Sequence, residues 1–209
     1  MSDAPPPAPD LAPALAPALA PNPAALEFLL TRRSRPPRML GTRAPDPDTL
    51  RTLLTAAARV PDHGKLEPWR FIVLDAPACQ RLAELTRTRA AQLTLDPDRI
   101  NKAATGFAEA PLIVVVVASP KPHPIVPEIE QYASAAGVCL SLVNAALAAG
   151  WGAVWLTGWR ATDRPFLTQG LHLFPHETVA GYIHIADEAR APADRPRPDI
   201  DALTTWVKT

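Results

Sequence analysis

Two stretches of this chain carry residue types that could do chemistry. The first is Thr31-Arg32-Arg33-Ser34-Arg35-Pro36-Pro37-Arg38, with four arginines and two hydroxyls in eight residues. A guanidinium fork beside a hydroxyl is a donor set suited to a terminal phosphate. The same run also suits an ordinary helix C-terminus, where positive charge complements the macrodipole. The second stretch is Arg59-Val60-Pro61-Asp62-His63-Gly64-Lys65-Leu66-Glu67-Pro68-Trp69-Arg70-Phe71. It packs two prolines, a glycine, five charged residues and a histidine into one connection. Polar loops held between rigid elements often carry binding chemistry, and a plain helix-to-strand turn fits the composition equally well.

The elements around these stretches can be read from capping and periodicity. Asn22-Pro23 opens a helix with a side-chain cap and proline at the first helical position, and Leu26, Leu29 and Leu30 form its apolar stripe. That helix delivers the arginine run. Asp46-Pro47 opens a second helix by the same device, with Leu50, Leu53, Leu54 and Ala57 on its buried face. The polar loop follows it. Trp69 to Leu74 then reads as a strand, with Phe71 and Val73 on one face and Ile72 and Leu74 on the other.

Asp75-Ala76-Pro77 starts a third helix with Leu82 and Leu85 inward, and Asp96-Pro97 a fourth, short one. Leu112 to Ala118 is apolar on both faces and β-branched, which predicts a central strand. Seven residues are too few to span a membrane. Glu128 to Ala149 is the longest helix, stopped by Gly150. Its small-residue middle, Ala133 to Cys139, lets another backbone approach closely and marks a central or interface helix. Trp151 to Gly158 predicts a third strand and turn. A short helix follows, capped by Thr162 or Asp163, with Phe166 and Leu167 inward. Val179 to Ala186 predicts a fourth strand, and Tyr182 and His184 suggest that one of its faces is less buried. After a proline- and charge-rich arm, Ile200, Leu203, Trp206 and Val207 have helical spacing. An arm ending in an apolar anchor suits wrapping around a partner subunit.

Bulk composition narrows the function. The chain has 209 residues, 21 basic and 21 acidic, and no net charge. A general nucleic-acid binder needs a basic surplus, so the arginine run calls for a smaller anion. Residues 1–21 are almost all Ala, Pro and Leu, which predicts a disordered or polyproline-like tail ahead of one domain at 22–209. The tail has no basic start and its apolar run is broken by prolines, so it does not read as a signal peptide. Cys79 and Cys139 are far apart and read as small buried hydrophobes, which suits a reducing cytoplasm. Pro175, between His172 and His176, spoils a helical metal-ligand pair.

Three motifs together resemble the nitroreductase family of flavoproteins. Arg32-Arg33-Ser34 is similar to its RRS signature. Pro61-Asp62-His63 followed by Glu67-Pro68-Trp69-Arg70-Phe71 is similar to the PDH…PW.F segment of its small branch. Gly150-Trp151-Gly152-Ala153-Val154-Trp155-Leu156-Thr157-Gly158 is similar to that branch's glycine-rich strand and turn. The motifs occur in family order and the resemblance covers roughly residues 24–209.

The resemblance implies an α+β, three-layer fold with a central mixed β-sheet flanked by helices. It also implies an intertwined homodimer with tightly bound, non-covalent FMN at the subunit interface. Arg32 and Ser34 would hold the FMN phosphate and ribityl chain, with Arg33 close by. Arg59 and His63 would contact the flavin, with Lys65 nearby as a cation able to raise its reduction potential. Trp155, Leu156 and Thr157 would lie along the ring, where main-chain groups can bond its polar edge. Ala145, Ala146, Leu147, Ala148, Ala149 and Gly150 would lie near the nicotinamide nucleotide. Larger members often carry Asn where Lys65 stands, Gln where Glu67 stands, and a further arginine where Pro36 stands; Arg35 or Arg38 could replace the last.

The implied activity is transfer of hydride from NAD(P)H to FMN and of electrons to a nitroaromatic, quinone or similar oxidant, by a ping-pong mechanism. The absence of a G-x-G-x-x-G loop after any strand fits a nicotinamide that visits a shared pocket. No obligatory side-chain nucleophile is expected. Reductive dehalogenation or oxygen-dependent flavin cleavage on the same scaffold, or a non-enzymatic dimeric flavin-binding module, are the alternatives. Neither a metal, a nucleic acid nor a membrane is expected as a partner.

Overall fold

The computed structural model describes residues 19–208. It divides into two units, Met1–Thr31 and Arg32–Thr209. The expected disordered tail lies outside the described residues except for positions 19–21. In the first unit, α1 (Pro23–Thr31) begins as the sequence predicts, with the Asn22 carboxamide oxygen accepting from the Ala25 N–H at 3.1 Å.

In the second unit, acidic caps followed by proline set most helix starts. Asp46 accepts from the N–H groups of Asp48 and Thr49 to open α2 (Pro47–Ala57). Asp75 opens α3 (Ala76–Gln92), and Asp163 opens α6 (Arg164–Leu171). Each satisfies N–H groups that a helix start would leave unpaired. Between α3 and α6 come α4 (Pro97–Ala108) and α5 (Glu128–Ala148). At twelve residues α4 is not the short helix expected from its sequence.

The strands are β1 (Trp69–Asp75), β2 (Leu112–Ala118), β3 (Gly152–Leu156) and β4 (Thr178–Ala186). They form one sheet in the order β1-β2-β4-β3. All three pairings are antiparallel. This corrects the mixed sheet implied by the resemblance. The strands β2 and β3 do run the same way, joined by the single helix α5, but β4 lies between them, so no parallel ladder forms among the described residues.

Alternation along β2 builds two cores. Leu112, Val114, Val116 and Ala118 face α2 and α5, where they meet Leu53, Ala57, Val138, Leu142 and Ala146. Ile113, Val115 and Val117 face α3, α4 and α6, where they meet Leu82, Phe107, Phe166 and Leu167. The result is the expected three-layer α+β arrangement. Among the described residues α5 is the one helix long and apolar enough to cross a membrane, and its buried face belongs to the first of these cores. Cys79 and Cys139 are buried as expected, and burial pushes both thiols up to about 12.

Two expectations are corrected. The face of β4 carrying Tyr182 and His184 is not less buried, because β4 is a central strand and α4 lays Phe107 across that face. At the other end, helical spacing over Ile200 to Val207 yields only one turn, α7 (Ile200–Leu203), leaving Trp206 and Val207 outside it. Four residues are too few to hold a helix without packing.

Candidate functional site

The arginine run is held against the outer edge of the sheet. The Arg35 N–H donates to the Ala153 carbonyl at 2.8 Å, extending the edge strand β3. Gly152 leaves room for the Leu40 side chain over this edge, since a Cβ there would fall 2.6 Å from Leu40 Cδ2. Just before it, α5 ends in a Schellman turn. Gly150 is left-handed at φ 83°, its N–H donates to the Leu147 carbonyl, and the Trp151 N–H donates to the Ala146 carbonyl. A left-handed helix end of this kind favours glycine. Within Ala145 to Gly150, Ala146 is buried in the core, whereas Ala148, Ala149 and Gly150 are exposed.

The arm after β4 folds back over the same edge. Its backbone pairs with Leu40 through Glu188, and the N–H groups of Ala189 and Arg190 donate to the Met39 carbonyl. Arg33 donates to the Ala193 carbonyl and to Asp194, and Arg197 donates to the same carboxylate at 3.0 Å. Arg35 pairs with Glu188 at 2.7 Å.

Arg32 is different. Its Nη2 donates to Ser34 Oγ at 2.9 Å, while its buried Nε has no partner among the described residues. Burial and the positive charges of Arg197, Arg35, Arg33 and Arg195 lower its pKa. The site is therefore a part-buried guanidinium beside a hydroxyl, with like charges around it and an unmet donor. An anion with several acceptor oxygens, such as a phosphate, meets that need. Arg195 and Arg197 are the contributors that sequence reading missed. They lie in a segment that resembles a polar linker, and only the return of the arm places them beside Arg32. Arg35 pairs with Glu188 and adds to the positive charge around Arg32, whereas Arg38 is exposed.

The Trp155 side chain is turned into the protein. Its indole does not line an open face. It packs over Gly181 towards α5 and donates from Nε1 to the Ala180 carbonyl at 3.0 Å. Ala180 is the extra residue of a bulge between Val179 and Gly181 opposite Val116 and Val117. The indole thus satisfies a carbonyl that the bulge takes out of the ladder. What Trp155 offers at the edge is its main chain. The Ala153 carbonyl points away from β4 to Arg35, so two residues on the Trp155 N–H and C=O turn outward as well. Leu156 is half-buried and Thr157 is exposed at the strand's end.

The polar loop is built elsewhere. Asp62 accepts from the N–H groups of Leu66 and Glu67 at 3.1 and 2.8 Å, so it shapes the loop. Gly64, Lys65 and Glu67 all have positive φ, at 73°, 53° and 46°. Such values cost non-glycine residues on the order of 1 kcal/mol or more and persist only where the surroundings enforce them. His63 Nδ1 lies 2.8 Å from Glu130 on the first turn of α5, and Ser134 donates to the Pro61 carbonyl at 2.8 Å. Arg59 and Lys65 are exposed.

The two halves do not meet along one chain. The loop sits on the first turns of α5, near Glu130 and Ser134, whereas the arginine site adjoins the strand that follows the end of α5. Fourteen to eighteen helical residues separate Ser134 and Glu130 from the helix end at Ala148, roughly 20 Å or more of rise.

A family profile described as "Nitroreductase family" matches residues 29–186. The chain belongs to the nitroreductase family. A relative from Escherichia coli K12, named "Putative NAD(P)H nitroreductase YdjA", is 31% identical over 183 residues, spanning 87% of this chain and 98% of its own length. Among solved structures, a nitroreductase-like family protein from Bacillus cereus has a TM-score of 0.74 at 22% identity, covering 92% of this chain and all of its own. A nitroreductase with bound FMN from Bacteroides fragilis has a TM-score of 0.68 at 21% identity, covering 88% and 98%. The nitroreductase profile includes the arginine run, the polar loop and the glycine-rich strand, but stops before Arg195 and Arg197.

Proposed function

We propose that this nitroreductase-family protein is a homodimeric, FMN-dependent NAD(P)H oxidoreductase. When bound, FMN would take hydride from NAD(P)H and pass electrons to a nitroaromatic, quinone or similar oxidant, the two substrates taking turns in one pocket. The observation that carries this reading is Arg32, a part-buried cation with an unmet donor, a hydroxyl neighbour and four further arginines around it. That donor set fits a phosphate dianion. Arg32 and Ser34 would hold it, with Arg195 and Arg197 closing over it from the arm.

The main chain of Trp155 and the exposed Thr157 would bond the polar edge of the ring. The exposed turn at Ala148 to Gly150 leaves backbone accessible beside that edge for a nicotinamide nucleotide. Arg59, His63 and Lys65 would reach the ring from the second copy of the chain, which accounts for the roughly 20 Å between the two halves in one copy. The exposed Ile200, Leu203, Trp206 and Val207 would be covered by that second copy.

The test is direct. Purified protein should be yellow, lose its colour with NADH or NADPH under anaerobic conditions, and regain it on addition of a nitroaromatic or quinone. Colourless protein that takes up no FMN would refute the proposal. Sedimentation of the same sample checks the dimer.

A further inference from the structure

The polar loop is gripped by one stripe of α5. Glu130, Ser134 and Gly137 are spaced by four and three, which places them on one helix face. They meet the loop in reverse order. Glu130 Oε2 lies 2.8 Å from His63 Nδ1, Ser134 Oγ donates to the Pro61 carbonyl at 2.8 Å, and Gly137 faces Val60, where a Cβ would fall 3.6 Å from Val60 Cγ1. We propose that Glu130 is the positioning residue for His63, and that this stripe presets residues 60–67 for contact with the flavin. The inference rests on reading His63 as a flavin contact.

The chemistry follows from the partner. An ionised carboxylate only accepts hydrogen bonds, so the imidazole nitrogen beside it must carry the proton. The Asp62 carboxylate is already used on the Leu66 and Glu67 N–H groups. Glu130 therefore supplies the acceptor for Nδ1, and Nε2 is left on the other side of a half-exposed ring. The tautomer of His63 is thereby set, as is typical when one ring nitrogen is held and the other used. The left-handed turn at Gly64 and Lys65 is a conformation that a free loop seldom holds. Tethers at Pro61 and His63 fix it before any ligand arrives, which lowers the ordering cost of binding.

The experiment combines two measurements on the full chain. Long-range ¹H–¹⁵N NMR on protein without FMN, at about pH 8 where an ordinary imidazole is neutral, reports the His63 tautomer. It should be the Nδ1–H form in the wild type, mixed in Glu130→Ala, and restored in Glu130→Gln, whose amide oxygen can accept. FMN titration followed by flavin fluorescence should show about three- to fivefold weaker binding in Glu130→Ala, the scale of an exposed charged pair, with partial recovery in Glu130→Gln.

An unchanged tautomer in Glu130→Ala would overturn the proposal. So would a shifted tautomer with unchanged FMN affinity while His63→Ala weakens binding. If His63→Ala itself leaves FMN affinity unchanged, the flavin-contact reading of His63 fails and the proposal falls with it, while the tautomer data still report the Glu130–His63 bond separately.

Discussion

Arg33 and Asp194 stand 161 positions apart in the chain and 3.2 Å apart in the fold. The same carboxylate accepts from Arg197, so one acidic residue ties the arm to the arginine run. Arg33 is thereby a clasp for the arm, and Arg32 is left as the group that needs an anion.

Arg32 should trade stability for binding. Arg32→Ala should weaken FMN binding about ten- to hundredfold, the scale of hydrogen bonds to a charged group. In protein without FMN the same change should leave the melting temperature unchanged or raise it, because it removes an unpartnered buried Nε among like charges. A clear loss of apo-protein stability would contradict this view of the residue.

Asp194 should oppose the phosphate while holding the arm. FMN binding should weaken as salt rises, whereas riboflavin, which lacks the phosphate, should bind weakly and with little salt dependence. Asp194→Asn should increase proteolysis of the arm, read by limited digestion of residues 187–198, because Arg33 and Arg197 lose their shared charged partner.

Stability should fall with acid in two overlapping windows. Arg70 grips Glu177 with two hydrogen bonds of 2.7 and 2.8 Å, and the Glu177 side chain is 2% exposed. The ion pair holds the Glu177 carboxyl down at about 2, below its ordinary 4.5. Its stabilisation is complete above about 4.5 and is lost as pH falls towards 2. His184 is buried, and burial together with Arg160 lowers it from 6.5 to about 3. The unfolded chain takes up that proton first, so stability also declines as pH falls from 6.5 to 3. Urea midpoints across this range should decline accordingly, and His184→Gln should flatten the upper window. Glu177→Gln should cost about 2 kcal/mol near neutrality, below the usual range for breaking a buried pair because Arg70 is partly exposed.

Gly181 should tolerate no larger residue. A Cβ there would fall 2.2 Å from Trp155 Nε1 and 2.9 Å from Cys139 Sγ. Gly181→Ala should displace the indole from the Ala180 carbonyl and cost about 1–3 kcal/mol. A shift in tryptophan emission together with a lower melting temperature would check it, and unchanged emission would count against the packing described.

Helix starts, the central strand β2 and the start of β1 were legible because they rest on local physics. Asp-Pro and Asn-Pro pairs cap and start helices regardless of context, and a seven-residue β-branched run is a buried strand in almost any α+β fold. The burial of Tyr182 and His184 was not legible, because alternation of polar and apolar types cannot reveal that α4 covers the second face. The place of the Trp155 indole was not legible either, since it depends on a bulge that frees the Ala180 carbonyl across the sheet.

The candidate site divides in the same way. By itself the sequence determined the local donors Arg32 and Ser34, the turn-forming loop around His63, and the glycine at 150 that stops α5. The tertiary structure decided which charges surround Arg32, because Arg195 and Arg197 reach it only through the fold-back of the arm. It also decided that α5 holds the loop at one end while the arginine site adjoins the strand beyond its other end. Coulomb forces and hydrogen bonds act through space, and no spacing along the chain encodes a contact between positions 33 and 194.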